Sequence, residues 1–452
     1  MSAAPRRQLG LWVTAAIVIA NMIGTGVFTS TGYSAKSLHD PMTILLGWIL
    51  GGVIALCGAA CYAELGTMMP KAGGEYVYLR EAYHPSVGFV SGWVSLTAGF
   101  SAPIASAALA FAAYINVLSG GVNQKLIAVL LIVAVTLMHS IDTKFGGRVQ
   151  AVFTTLKVVL IVVFIAAGLM SGHGDWGHFK SEAGGYSNIF TTNFAISLMY
   201  VMFAYSGWNA AAYIAGEVER PERTLPRSLL VGTGTVMVLY VLLNVIYFYA
   251  VPSDVLAGPP DKFAPVIEVG ATSASALFGK TGGNLITSLI SLALISAVSA
   301  MIMAGPRVYA AMATDRALPS QLAWHSKRGV PTVAVITQGV LGILFVLVSD
   351  LGQLMRFSSF TLAVFAALTC GALFIMRRRG VHSAYRTPLY PLPPLVFIAI
   401  SAWIAYAQFK ANPKELAVAV LVLAVGAVLY AVLVKRPPTV PEARVVSKDG
   451  SG

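Results

Sequence analysis

Charged side chains are scarce in this sequence. Of its 452 residues, 11% are charged and 57% are hydrophobic, whereas soluble domains carry about 25% charged residues. The hydrophobic residues form runs of about 20 or more, and each run is long enough to cross about 30 Å of hydrocarbon as a helix. Scarce charge and long apolar runs together exclude an ordinary soluble domain and predict a protein of the lipid bilayer.

Cysteine is also rare, and the sequence lacks several motifs typical of metal binding, nucleotide binding and catalysis. Cys57, Cys61 and Cys370 all fall inside apolar runs, so we expect packing residues, with neither a disulfide framework nor a metal site. No predicted cytoplasmic segment contains a Gly-Lys-Ser/Thr phosphate-binding loop, which argues against ATP-driven pumping. No cluster of His, Asp or Glu lies within an apolar run, so we predict no enzyme, no metal and no cofactor.

The excess of basic over acidic residues is explained by membrane topology. The net charge is +12, but Lys and Arg gather in the cytoplasmic loops of membrane proteins, so no nucleic-acid partner is predicted. With the N-terminus in the cytoplasm, most Lys and Arg residues fall on the cytoplasmic side. This bias predicts an even number of spans in the cell membrane, with both termini cytoplasmic.

We predict an all-α membrane protein with about 12 transmembrane helices in a single domain, residues 1–435. The polar segment 436–452 is predicted to be a disordered cytoplasmic tail. The predicted spans are 9–34, 42–69, 87–118, 124–141, 147–171, 193–218, 226–250, 284–314, 331–349, 356–378, 389–409 and 414–435.

Spans 1 and 6 carry the same unusual feature near their middle. Residues 21–28 read NMIGTGVF and residues 203–209 read FAYSGWN. Glycine costs about 1 kcal/mol relative to alanine in a helix interior, so we predict that helices 1 and 6 are discontinuous. The two sites are five spans apart, which predicts a 5+5 inverted repeat. Its halves would be 9–171 and 193–378, followed by two additional helices at 389–435.

A break in the middle of the membrane has a specific consequence. It frees backbone N–H groups on one half-helix and C=O groups on the other, and these cannot stay unpaired in hydrocarbon. An amino acid pairs with both, because its carboxylate suits a helix N-terminus and its ammonium suits the freed carbonyls. One glycine-rich patch alone would favour helix packing instead, but two matched patches favour a binding site.

Lys157 is the one cation predicted to lie deep inside a span. It lies about 13 Å beyond the cytoplasmic edge of span 5, too deep for its ammonium to be fully hydrated. We expect it to be surrounded by freed carbonyls of span 1 and by a hydroxyl of span 8, where Ser296 and Ser299 share a face. A structural lysine is the alternative, but intramembrane charges usually mark transport or coupling sites.

Several motifs occur in order along spans 1 to 10. They are IGTGVF at 23–28, AELG at 63–66, PKAGGEY at 70–76, FVSGW at 89–93, Lys157, FAYSGWN at 203–209 continuing to Glu217, Pro221, Arg223, Leu225 and Pro226, and GPRVY at 305–309. With these motifs the chain resembles the amino acid–polyamine–organocation (APC) superfamily. Within it, the chain is most similar to bacterial relatives of the L-type and cationic amino acid transporters.

The resemblance implies alternating access and a set of site residues. The substrate carboxylate would meet the N–H groups of the second half of helix 1, and the ammonium would meet carbonyls at both breaks. Phe203 matches a gating aromatic, and Lys157 matches a lysine that stands where sodium binds in related carriers, which argues against sodium dependence. The predicted substrate site comprises Met22, Ile23, Thr25, Gly26, Val27, Phe203, Ala204, Ser206, Trp208 and Asn209, and the predicted coupling site comprises Lys157, Ser296 and Ser299.

One departure from the family concerns partners. Human exchangers of this group carry a cysteine outside span 3 for a disulfide to a glycoprotein subunit. Residues 119–124 of this chain contain none, so no disulfide-linked heavy subunit is expected. Near the cytoplasmic end of span 2, Glu64 is interpreted either as a gate residue that pairs with Arg80 or Arg307, or as a cap on nearby backbone.

The leading hypothesis is a secondary carrier of small neutral L-amino acids, sodium-independent, that works by proton symport or exchange. The alternative is a carrier of cationic amino acids or polyamines, which the lack of a carboxylate near the middle of any predicted span weakens. A membrane sensor or channel is a remote third, because neither a soluble output domain nor a continuous polar pore is visible.

Overall fold

The computed structural model describes residues 9–70, 73–141, 143–180, 188–259, 265–315, 317–326 and 329–434, with the backbone alone at 143–151. Helices make up most of these residues. The described part of the chain contains no strand, only one isolated bridge between Leu9 and Val218. The fold is therefore all-α, as predicted, and the predicted tail 436–452 lies outside the described residues.

The described residues form seventeen α-helices. They are α1 Leu11–Met22, α2 Thr25–Leu38, α3 Pro41–Met68, α4 Glu75–Ala82, α5 Pro85–Val94, α6 Ala102–Ser119, α7 Gln124–Ile141, α8 Thr143–Met170, α9 Thr192–Tyr205, α10 Ala210–Tyr213, α11 Pro221–Ala250, α12 Ser253–Ala257, α13 Val269–Thr314, α14 Thr332–Val348, α15 Leu351–Arg378, α16 Leu392–Ala411 and α17 Pro413–Leu433. A π-helical segment, Ser95–Ser101, joins α5 to α6, and α13 is kinked at Gly279.

The apolar helices account for all twelve predicted spans. Within the described residues, nine segments are long and apolar enough to cross a membrane, and α1 with α2 form a tenth, bent by 41°. The shorter apolar helices α9 and α14 supply the remaining two. Each falls where a span was predicted, so the all-α membrane architecture is confirmed, while the boundaries of the two repeats stay a prediction.

Local sequence explains where many helices begin. Proline stands at the first turn of α3, α5, α11, α16 and α17, where its missing N–H leaves no bond unmade. Asp40 accepts a hydrogen bond from the backbone N–H of Thr43, at 2.8 Å, and Asp350 forms a capping box with Gln353. These caps satisfy N–H groups that have no partner within their own helix.

The interruption between α1 and α2 packs directly against the one between α9 and α10. A Cβ atom at Gly26 would lie 2.3 Å from Cα of Ala204, and one at Gly207 would lie 2.7 Å from the carbonyl oxygen of Asn21. Gly207 also has a φ of 98°, which side chains disfavour. Glycine is thus required at both positions, and helices 1 and 6 are discontinuous, as predicted.

Candidate functional site

A cavity of about 950 Å³ leads from one end of the helix bundle to the two breaks. We call the end where α1 begins the N-terminal face. There the cavity is lined by Leu9, Trp12 and Arg307, and at its inner end by Gly26 and Ala204. Trp12 is 76% exposed, which places this end of the cavity at the surface.

The opposite face of the bundle is closed beyond the breaks. Tyr33 of α2 stacks on Tyr200 of α9, with ring centroids 4.6 Å apart. Arg356 of α15 donates to the Tyr200 hydroxyl at 2.9 Å and pairs with Glu415 of α17 at 2.6 Å. Because these contacts join four helices across this face, the structure is open at the N-terminal face and closed at the other.

The first break presents unpaired donors to the cavity. Gly24, which precedes α2, provides no side-chain cap, and the first N–H groups of a helix lack partners within it. The Thr25 hydroxyl is buried and has no hydrogen-bond partner among the described residues, and both residues line the cavity. The N-terminus of α2 therefore offers donors and the positive end of a helix dipole, which together favour an anion.

At the second break, a neighbouring residue already provides hydrogen bonds to one of the backbone carbonyls. The carbonyl oxygen of Phe203 accepts from both the backbone N–H and the hydroxyl of Ser206, at 3.0 and 2.7 Å. Trp208 packs edge-on against Tyr62, with ring centroids 4.6 Å apart, and forms a wall of the cavity next to Asn209. This side of the cavity is aromatic, with one amide side chain.

Lys157 of α8 is 1% exposed and bound to the end of α1. Its Nζ donates to the carbonyl oxygens of Ile23, at 2.9 Å, and of Ala20, at 3.2 Å. Both acceptors belong to span 1, in agreement with the predicted partners. The ammonium thus holds carbonyls that the break has released from regular helix bonding.

Of the two serines predicted beside Lys157, Ser299 contacts a histidine. Ser299 lies within α13, but its hydroxyl is 2.8 Å from Nε2 of His139 on α7. Ser296 is buried three residues earlier on the same helix face. Packing of α13 against α7 therefore gives Ser299 a histidine partner that the sequence pattern did not indicate.

Two tyrosines of α11 bind carbonyls on either side of the first break, and sequence reasoning missed both. The Tyr240 hydroxyl donates to Met22 at 2.6 Å, and the Tyr247 hydroxyl donates to Val27 at 3.3 Å. The two tyrosines are seven residues apart and so share one helix face. That spacing was the available signal, but it did not identify the partner.

Eight of the ten predicted substrate residues line the cavity: Met22, Thr25, Gly26, Phe203, Ala204, Ser206, Trp208 and Asn209. Ile23 and Val27 do not line it and are 1% and 0% exposed. The Ile23 carbonyl accepts a hydrogen bond from Lys157. Ile23 therefore contributes to the shape of the break and not to the cavity lining.

Glu75 is a cavity residue that sequence reasoning did not include in the site. It is the first residue of α4, a short helix between two membrane spans, and is 3% exposed. Its Oε1 accepts hydrogen bonds from the Tyr62 hydroxyl and from Nδ2 of Asn209, the latter at 3.0 Å. Burial raises the pKa of the Glu75 carboxyl. A carboxyl group therefore reaches the cavity from a connecting segment.

The arginine partners predicted for Glu64 were wrong. Arg377, at the end of α15, binds both carboxylate oxygens of Glu64, at 2.8 and 2.7 Å, and the backbone N–H of Thr387 adds a bond of 2.7 Å. Arg80 pairs instead with Asp315, at 2.6 Å. The interpretation failed because α15, remote in sequence, packs against the end of α3.

A bundle of membrane-spanning helices, with a one-sided cavity that ends at two interrupted helices, defines a polytopic membrane transporter. The chain belongs to the amino acid permease family, which it matches over residues 9–433. Members of this family are transporters and not enzymes.

The relatives that match nearly the whole chain include the following three. It is 30% identical to the serine/threonine exchanger SteT of Bacillus subtilis, over 95% of this chain and 98% of the relative. It is 28% identical to the b(0,+)-type amino acid transporter 1 of Mus musculus, over 94% and 87%. It is 25% identical to the large neutral amino acids transporter small subunit 2 of Homo sapiens, over 94% and 80%.

Proposed function

We propose that this protein is a sodium-independent secondary active transporter of small neutral L-amino acids in the cell membrane. It would work by alternating access, as an exchanger or a proton symporter. The observation that carries the proposal is the meeting of two interrupted helices at the inner end of a cavity open on one face only. The relative whose name describes a serine/threonine exchanger supports both the small substrate and the exchange mode.

The carboxylate site lies at the start of α2. The unpaired N–H groups of Thr25, Gly26 and Val27 and the unpartnered Thr25 hydroxyl are donors with no competing acceptor at the N-terminus of the helix. A carboxylate there gains charge-assisted hydrogen bonds and the favourable end of the helix dipole.

The family resemblance implies that the ammonium meets the carbonyls of Met22, Phe203, Ala204 and Ser206, and the hydrogen bonds at the breaks reduce this set. A carbonyl oxygen has two lone pairs, and that of Phe203 already accepts two bonds from Ser206. The carbonyl of Met22 accepts one bond, from Tyr240, and keeps a second acceptor position. We therefore assign the ammonium to the remaining carbonyls, those of Met22, Ala204 and Ser206, and propose that Phe203 acts through its ring as a gate.

The side-chain pocket lies along Trp208 and Asn209. The Trp208 indole is held between Tyr62 and Phe397, at centroid distances of 4.6 and 6.2 Å. An aromatic wall fixed on both sides limits the room next to the breaks, which supports small substrates.

Lys157 supports sodium independence, because its ammonium already supplies a positive charge to the carbonyls of Ile23 and Ala20. With Ser296 and Ser299 it forms the proposed coupling site. We place the N-terminal face in the cytoplasm, following the distribution of Lys and Arg. Cys57, Cys61 and Cys370 are free and lie within α3 and α15, so no disulfide-linked subunit is proposed.

Counterflow in proteoliposomes tests this function. Vesicles loaded with unlabelled serine should take up labelled serine, threonine and alanine saturably, and replacing sodium with choline should leave the rate unchanged. Uptake into empty vesicles under an inward proton gradient separates symport from exchange. No uptake above protein-free vesicles for any neutral amino acid, or an absolute need for sodium, would refute the proposal.

A variant locates the site in the same assay. Thr25→Val removes a hydroxyl with little change in shape and should weaken affinity by about fivefold, as expected for the loss of about 1 kcal/mol from one hydrogen bond. Thr192→Val, at an exposed position, is the matched control and should behave as the parent protein.

A carrier of cationic amino acids is the second candidate, and one observation favours it. The carboxyl group of Glu75 lines the cavity, although no carboxylate was predicted near the middle of a span. An ionised Glu75 would pair with a cationic side chain. Lysine in the counterflow panel distinguishes the two candidates, because only the second requires lysine to be transported.

A further inference from the structure

One carboxylate oxygen of Glu75 has no hydrogen-bond partner among the residues that the structure describes. Oε1 accepts from the Tyr62 hydroxyl and from Asn209, whereas Oε2 has no hydrogen-bond partner among the described residues. Glu75 lines the same cavity as Asn209 and Trp208. A ligand held at the breaks can therefore present its side chain to Oε2.

The surroundings of Glu75 are uncharged in the described part of the chain. The ion pairs found there all join other residues. Burial among neutral groups raises the pKa of the Glu75 carboxyl, which favours the protonated form and gives Oε2 a proton to donate. The titratable groups that face it are Tyr62 from α3, Tyr78 from α4, Tyr213 from α10 and Cys370 from α15.

We propose that Glu75 sets the side-chain specificity of this transporter, with Oε2 forming a hydrogen bond to the hydroxyl of a serine- or threonine-type substrate. The inference rests on the proposed function, because it assumes an amino acid held at the two breaks. It adds the chemical class of the substrate side chain and the residue that recognises it.

A hydroxyl suits this position better than a hydrocarbon group does. It both donates and accepts, so it bonds to Oε2 whether Glu75 is protonated or ionised. A hydrocarbon side chain of the same size would cover Oε2 and leave it unpaired, and an unpaired buried polar group is costly. Threonine and valine have nearly the same shape and differ in this respect, so they form the discriminating pair.

The test uses labelled alanine, which has no hydroxyl and whose exchange does not depend on the proposed contact. Competition by unlabelled threonine and valine is measured in proteoliposomes. In the parent protein, threonine should compete about tenfold better than valine. Glu75→Gln keeps a donor and an acceptor and should retain this preference. Glu75→Leu should bring the ratio close to one, and because the ratio is taken within each variant, a lower overall rate of alanine exchange does not affect it.

Controls separate recognition from folding. Glu222→Gln changes an exposed acid outside the cavity and should alter neither alanine exchange nor the ratio. Lys71 lies outside the described residues, so Lys71→Gln tests whether it serves as a charge partner of Glu75. The threonine-to-valine competition ratio of this variant should match that of the parent. Glu75→Met, unbranched and close to glutamate in length, replaces Glu75→Leu if that variant does not reach the membrane.

Three results would overturn the inference. The first is an unchanged threonine preference in Glu75→Leu or Glu75→Met. The second is that Glu75→Leu and Glu75→Met lose recognition of alanine, threonine and valine equally while Glu75→Gln keeps full activity. Glu75 would then only anchor α4. The third is a loss of the preference in Lys71→Gln. If the parent protein exchanges no alanine at all, the proposed function itself has failed, which is a separate outcome.

Discussion

Replacing Lys157 with methionine gives the sharpest test of how the first break is held open. Methionine keeps an unbranched apolar side chain but removes the ammonium. Two carbonyls lose their donor in this variant, those of Ile23 at 2.9 Å and Ala20 at 3.2 Å. The effect should appear as weaker substrate affinity, because the carboxylate site exists only while the two half-helices are separated.

The size of the affinity loss in Lys157→Met depends on whether water can replace the ammonium as the donor to these carbonyls. Ala20 lines the cavity, so its carbonyl can be hydrated at little cost. Ile23 does not line the cavity and is 1% exposed, so its carbonyl stays unpaired. A buried unpaired carbonyl costs about 1–3 kcal/mol, which corresponds to a loss of affinity of about 5- to 150-fold.

The assay is serine binding to purified protein, together with serine counterflow. Lys125→Met is the matched control, because Lys125 also donates to a main-chain carbonyl, that of Leu347 at 2.8 Å, but is exposed. The control should bind serine as the parent does. If Lys157→Met binds serine within about twofold of the parent, the ammonium does not maintain the break, and the reasoning about coupling fails with it.

Three further predictions concern the break and the cavity. Tyr240→Phe, which removes the hydroxyl bound at the end of α1, should weaken serine affinity by about fivefold, whereas exposed Tyr406→Phe should have no effect in the same binding assay. Gly207→Ala should abolish folded expression in detergent chromatography, because φ is 98° and a Cβ would clash with backbone; Gly234→Ala has open space and should express normally. Because burial raises the pKa of Glu75, the unfolded chain ionises first and binds fewer protons. The melting temperature should therefore fall as the pH rises above the ordinary pKa of a glutamate, and a slope that Glu75→Gln leaves unchanged would contradict this.

The candidate site could be predicted only in part. The glycine-rich segments of spans 1 and 6 indicated both breaks, and eight of the residues named from them line the cavity. Tyr240 and Glu75 were missed for the same reason. The first makes its key contact with a residue 218 positions away, and the second enters the cavity from a segment between two predicted spans, where no site residue was expected.

The sequence by itself determined the number and position of the membrane spans, because runs of apolar residues must bury their backbone as helices in lipid. It also determined where two of these helices break, because glycine and small polar residues in mid-span weaken a helix locally. Only the tertiary structure decided which side chains satisfy the released carbonyls, that Glu64 pairs with Arg377, and that Glu75 lies in the cavity. These contacts join helices far apart in the chain, and their geometry depends on how the whole bundle packs.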